Sequence, residues 1–216
     1  MTSNPEQTVW LVRHGAREDV ANPTWRQTAA RPYDPPLSDQ GHADARRLAR
    51  RLVGERIDAI YTSPFLRAVQ TAAAVAAAVD APIRLEPGLG EWLRKDWFDG
   101  VPVLMPAVDT GFACDHMDWT YRSPWTMSWP EQWEDVMVRI DETMRRLLAA
   151  GDSFVLVGHG ATVIGSAAVI MGGEAPHDPP PPPTTSLSRF DRRADRWRAA
   201  FEADTAHLET PAPPSI

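Results

Sequence analysis

The constraint that narrows this chain most is a four-residue apolar run, Val9-Trp10-Leu11-Val12, that stops at Arg13-His14-Gly15. A short continuous apolar run bounded by a turn signal reads as a strand buried on both faces, the pattern of a parallel sheet covered by helices. Its abrupt end places a histidine at a strand's carboxyl edge, where open α/β sheets bind their ligands. Gly15 permits a sharp turn and a close approach of backbone to ligand. Arg13 offers a planar, permanently charged donor suited to phosphate. An imidazole is largely unprotonated near neutral pH and can act as a nucleophile.

Three further segments repeat this arrangement. Ala59-Ile60-Tyr61-Thr62 leads into Ser63-Pro64-Phe65-Leu66-Arg67-Ala68-Val69-Gln70-Thr71-Ala72. There Ser63 is expected as N-cap and Pro64 as the first helical residue. Arg67 then falls in the opening turns, beside the positive end of the helix dipole. Phe154-Val155-Leu156-Val157 runs into Gly158-His159-Gly160, a second apolar strand ending in a glycine-flanked histidine. After Ile83-Arg84-Leu85-Glu86 comes Pro87-Gly88-Leu89-Gly90-Glu91-Trp92, which leaves Glu91 in a loop. Glu18, Asp19 and Asp99 are the competing carboxylates.

In this order the motifs resemble the histidine phosphatase superfamily, the phosphoglycerate mutase-like fold, from about Thr8 to Phe201. Arg31-Pro32-Tyr33-Asp34-Pro35-Pro36-Leu37-Ser38, Glu86 to Trp92, and Asp109-Thr110 with Tyr121-Arg122 make the chain similar to the TULA/Sts-type and ecdysteroid-phosphate phosphatase group. The resemblance implies that His14 carries the phosphoryl group and that Arg13, Arg67 and His159 line the phosphate pocket. It adds Arg17 to that pocket and makes Glu91 the general acid. Whether His159 donates as a charged or a neutral ring stays open. Phosphoglycerate mutase relatives read Arg-His-Gly-Glu-Ser, whereas Ala16-Arg17-Glu18 stands here. Acid phosphatases place a proline where Asp19 stands and an aspartate where Gly160 follows His159. The expectation is a metal-independent phosphomonoesterase working through phosphohistidine on a small-molecule or phosphotyrosyl ester, with a lean toward aryl or hydrophobic leaving groups. A phosphate-binding scaffold without turnover is the alternative from another class, and a phosphoglycerate mutase is disfavoured.

The remaining sequence fits one α/β domain over residues 1–216. The expected architecture is a three-layer sandwich with a mostly parallel central sheet and helices on both faces. Ala45, Leu48 and Leu52 space an apolar stripe beneath Arg46 to Arg51, in a helix starting near Ser38-Asp39. Trp133, Val136, Met137, Ile140, Met144, Leu147 and Leu148 mark one face of a long helix, and Val163 to Met171 another. Leu187 to Phe190 and Trp197 to Phe201 read as adjacent strands turning through Asp191 to Asp195. Two segments break the alternation. Residues 92–130 form an irregular insertion carrying Trp92, Trp97, Trp119, Trp125 and Trp129, either a small aromatic core or a wall over the site. Pro179 to Pro183 reads as a stiff surface connector more than as an SH3-type ligand.

A formal charge of −7 disfavours nucleic acid and anionic membranes as partners. No 18-residue apolar run occurs, Met1 to Gln7 is polar, and Cys114 is the only cysteine. The expected compartment is therefore the cytoplasm. A homodimer stays open. No cofactor is expected, and His14, His42, His116, His159, His177 and His207 show no paired metal-ligand spacing. His42 is expected on an exposed helix start, and His207 has no assignable role.

Overall fold

The computed structural model describes residues 6–110 and 112–209. The polar start at residues 1–5 and the side chain of Cys114 lie outside the described residues. The chain runs β1 (Gln7–Arg13), α1 (Glu18–Ala21), α2 (Trp25–Thr28), α3 (Asp39–Arg51), β2 (Ala59–Thr62), α4 (Leu66–Val79) and β3 (Ile83–Leu85). It continues with α5 (Phe112–Asp115), α6 (Trp133–Ala149), β4 (Phe154–Gly158), α7 (Gly160–Met171), β5 (Leu187–Arg193) and β6 (Arg196–Asp204). The sheet order is β3-β2-β4-β1-β5-β6. The first four strands are mutually parallel, and β5 and β6 add an antiparallel ribbon at the β1 edge.

The unbroken apolar run of β1 follows from burial on both faces. Trp10 and Val12 pack with Leu48 of α3, with Leu52 just past its end and with the alanine-rich side of α4. Val9 and Leu11 face the other way, onto Val136, Ile140 and Met144 of α6 and Val163 of α7. Alternate strand residues thus feed two separate cores, which is what the two-residue period of a strand demands. Fully burying each such side chain contributes about 1.5–3 kcal/mol, so these cores are the main driving force for the sandwich. Among the described residues no helix is long and apolar enough to cross a membrane.

Several element boundaries differ from the sequence expectation. The α4 helix begins at Leu66, and its N-cap residue is Phe65, whose side chain cannot cap. The cap comes instead from Asp34, 32 residues earlier, whose Oδ1 accepts from Leu66 N at 2.8 Å. Ser63 and Pro64 precede the helix. The α7 helix opens three residues before Val163. The terminal ribbon turns at Ala194 and Asp195, both at positive φ, the left-handed pair that suits a tight hairpin. His42 is half-buried at the start of α3. His207 is buried, with Nε2 3.0 Å from Thr185 O.

Candidate active site

Register brings the two histidines together. Arg13 of β1 pairs with Gly158 of β4, so His14 and His159 leave adjacent parallel strands at the same level. His14 N donates to Gly158 O at 2.9 Å. After β1 the chain goes to α3 on one face, and after β4 it goes to α7 on the other. Two neighbouring strands whose helices leave on opposite faces open a crevice at their carboxyl ends. The two imidazole centroids lie 5.2 Å apart within it.

His14 is 1% exposed. Its Nδ1 lies 2.8 Å from Gly15 O, and a carbonyl can only accept, so Nδ1 carries the proton and Nε2 keeps its lone pair. Burial pushes the His14 pKa well below the usual value, and the nearby Arg67 and His159 push it further down. The ring is therefore neutral at neutral pH. Gly15 is needed for a different approach from the one its motif suggests. A Cβ there would meet Gly41 O and Leu37 Cδ2 at 3.0 Å, so the missing side chain admits α3 and its preceding loop.

His159 is fully buried, with Nε2 2.8 Å from Ser63 Oγ and Nδ1 3.1 Å from Glu91 Oε2. Burial lowers its pKa to about 4, against the opposing pull of Glu91, which makes it a neutral donor. The consistent tautomer has Ser63 O–H donating to Nε2 and Nδ1–H donating to Glu91. For Glu91, burial favours the neutral acid, but the hydrogen bond from His159 and the charge of Arg67 outweigh it and hold the carboxyl well below the usual range. The sequence motif carries no sign of Ser63 as the partner of His159.

Arg67 stands in the first turn of α4, as the motif implied, and is 2% exposed. Its Nη2 donates to Glu91 Oε2 at 3.1 Å, and its guanidinium lies over the Phe65 ring at 4.5 Å. Burial lowers its pKa to about 10. Among the described residues Arg67 Nε and Nη1 and Arg13 Nε are buried without a hydrogen-bond partner. Buried guanidinium donors with nothing to bond are costly, and an anion placed among them would remove that cost. Arg13 donates through Nη1 to Pro182 O at 2.6 Å. Arg17 is held by Asp19, Nε to Oδ1 at 2.8 Å and Nη2 to Oδ2 at 2.6 Å. Asp19 also takes Arg26 Nε at 3.1 Å, so it orients cations. Asp99 is occupied at Tyr33.

Two cavities open around Glu91 and Arg17. One, of about 340 Å³, is lined by Arg67, Arg26, Tyr33, Trp97 and Phe98. The other is lined by Arg13, Trp92, Trp97, Gly160, Pro179 and Pro181. Both readings of the tryptophan-rich insertion are thus partly right. Trp92 is buried against Trp133, and Trp129 donates to Phe98 O, whereas Trp97 is half-exposed and faces both cavities. Trp119 lies elsewhere, beside Leu85 and Arg122. The proline run connects α7 to β5 and in doing so forms a wall of the site. Arg94 ties it down, bridging Asp96 and Asp178 while stacked between Trp92 and Trp97.

His14, Glu91 and His159 are brought together although their sequence spacing carries no metal signature. Their ligand atoms lie within 4.8 Å of one another, the arrangement of a possible cation site. The surrounding charge opposes that use. Arg67 Nη2 is 3.1 Å from Glu91 and 3.3 Å from His159 Nδ1, and Arg13 and Arg17 face the same crevice. A dication there would lie against guanidinium groups, whereas a phosphoryl group would be met by them.

The histidine phosphatase superfamily, branch 1, matches residues 9–205. A Mycobacterium tuberculosis protein, Rv0525, is 33% identical over 178 residues, covering 81% of this chain and 84% of its own length. YhfR of Bacillus stearothermophilus superposes with a TM-score of 0.68 at 25% identity, over 94% of this chain and all of that one. The ecdysone phosphate phosphatase of Bombix mori, solved with tungstate, gives the same TM-score at 21% identity, over 97% and 95% of the two chains.

Proposed function

The chain belongs to the histidine phosphatase superfamily and is a phosphatase by that membership; we propose that it hydrolyses phosphate monoesters without a metal, through a phosphohistidine on His14. One observation carries the reading. A neutral imidazole with a free Nε2 stands beside a buried guanidinium whose Nε and Nη1 lack partners.

In the first step His14 Nε2 attacks phosphorus in line with the leaving oxygen. The N–P bond forms, the ester P–O bond breaks, and Arg13, Arg17 and Arg67 meet the equatorial oxygens, joined by His159 as its Nδ1–H turns from Glu91 to the phosphoryl group. Glu91 gives its proton to the leaving oxygen. In the resting enzyme Glu91 is ionised. The entering phosphate turns the charge of Arg67 toward itself and adds negative charge nearby, and both changes raise the Glu91 pKa so that it can take up a proton. In the second step water attacks phosphorus, the N–P bond breaks, and Glu91 takes the proton from water.

The leaving group would lie in the larger cavity, where Tyr33, Phe98 and Trp97 present ring surface beside Arg67 and Glu91. Each good aromatic contact there contributes about 0.5–1.5 kcal/mol beyond area, which supports a preference for aryl or hydrophobic esters. The test is turnover of p-nitrophenyl phosphate in EDTA, with acid-quenched trapping of labelled enzyme. Full activity in EDTA and label lost in His14→Ala are expected. Tight phosphate binding without turnover would instead make the protein a scaffold. For specificity, Trp97→Ala should lower kcat/KM for naphthyl phosphate several-fold more than for glycerol phosphate, and an unchanged ratio would remove the aryl preference.

A further inference from the structure

The loop that carries Glu91 is held from outside by a second ion pair. Arg139, on the inner side of α6, is 4% exposed, and Glu131, just before that helix, is 5% exposed. They pair in bidentate fashion, Nε to Oε1 at 2.8 Å and Nη2 to Oε2 at 3.0 Å. Arg139 Nη1 then reaches the carbonyls of Gly88 at 2.8 Å and Gly90 at 3.3 Å. Glu131 Oε2 accepts from Leu93 N at 3.1 Å, and Glu131 O accepts from Trp92 Nε1 at 3.0 Å. The backbone of Glu131 also donates to Leu93 O. Two carbonyls before Glu91 and two donors after it are therefore gripped by one pair. Between those two carbonyls, Leu89 O accepts from Thr162 Oγ1 at 3.1 Å.

A buried ion pair is a poor source of stability, because desolvating two charges offsets most of their attraction. What a bidentate pair supplies is direction, and here the direction is that of the loop bearing Glu91. We propose that Arg139 and Glu131 are positioning residues that aim the Glu91 carboxyl at the leaving oxygen. Neither side chain touches the crevice. The proposal rests on the reading of Glu91 as proton donor.

Leaving groups separate this role from a structural one. An alkoxide needs the proton, whereas p-nitrophenolate leaves without it. The experiment measures kcat/KM, which reports the phosphorylation step, for glycerol phosphate and p-nitrophenyl phosphate in Arg139→Gln, Arg139→Lys and the apolar double variant Arg139→Met/Glu131→Leu. The double variant removes both charges together, so it keeps the test open where a single change unfolds the protein. The expected result is a loss of about 10–100-fold for glycerol phosphate against less than about 3-fold for p-nitrophenyl phosphate, with part of the loss recovered in Arg139→Lys. Slowed hydrolysis of phosphohistidine should also give a burst of p-nitrophenolate. Glu91→Gln is run beside them. If it discriminates between the esters and the Arg139 variants do not, the positioning role is wrong. If Glu91→Gln does not discriminate either, the reading of Glu91 itself fails.

Discussion

Replacing Arg67 with methionine should make the resting protein more stable while shrinking its response to phosphate. The guanidinium is fully buried, its Nε and Nη1 are unpartnered, and burial lowers its pKa to about 10. That lowering already includes the attraction of Glu91. A depressed folded-state pKa on a basic group means that holding the charge costs stability at every pH below it. That lowering, at about 1.4 kcal/mol for each tenfold loss of proton affinity, is a cost on the order of 3 kcal/mol at pH 7. Methionine keeps the unbranched stem against Phe65 and carries no charge. For a chain of this length 1 kcal/mol moves Tm by about 2–4 °C, so the gain expected is on the order of 6–12 °C. In the native protein, millimolar phosphate or vanadate should supply the missing acceptors and raise Tm by mass action. Scanning fluorimetry with and without vanadate reads both effects. An Arg67→Met protein that melts below the native one without ligand, or that keeps the native vanadate shift, would refute the reasoning.

Acid should weaken the fold through the buried histidines. The His159 pKa falls from 6.5 to about 4 on folding and that of His14 moves the same way, so their stabilisation is complete above about pH 6.5 and is lost as pH falls toward 4, with about 3 kcal/mol from His159 alone. Urea midpoints between pH 7.5 and 4.5 should fall less steeply in His159→Gln, and parallel slopes would contradict this. Gly88→Ala should destabilise by about 1–3 kcal/mol, because its Cβ would lie 2.1 Å from Thr143 Oγ1 and 2.9 Å from Glu86 Oε1. Thr143→Ala added to it should recover part of the loss in denaturant midpoint, and a silent Gly88→Ala would show that the loop yields freely.

What can be read in the sequence is whatever a strand end encodes locally. Arg13-His14-Gly15 and Gly158-His159-Gly160 announce themselves because an apolar run and its punctuation lie within ten residues. Arg67 falls in the first turn of its helix for the same reason. The cap of that helix is not legible, because Asp34 supplies it across 32 residues, while Ser63 spends its hydroxyl on His159. The grip of Arg139 and Glu131 is invisible, since Arg139 sits mid-helix and its targets lie 49 and 51 residues away. The proline run shows its stiffness in the sequence but not its position, because the bonds that draw it over the crevice, from Arg13 to Pro182 and from Arg94 to Asp178, span 169 and 84 residues.

Asp34 has a further consequence for how such chains can diverge. One carboxylate oxygen caps α4, which presents Arg67, and the other accepts from Met105 N in the middle of the tryptophan-rich insertion at 2.8 Å. The insertion is moored again where Glu86 takes Tyr121 and Ser123. Between these moorings Ala113 and Met117 are buried in the core beside Ile83, and Arg84 pairs with Asp118, so this stretch is fixed to the β3 edge of the sheet. Trp97 and Phe98, which wall the leaving-group cavity, lie on the other side of the Met105 mooring, so a relative can exchange residues 99–104 and redraw that wall's rim while Asp34 keeps its grip on both the insertion and α4.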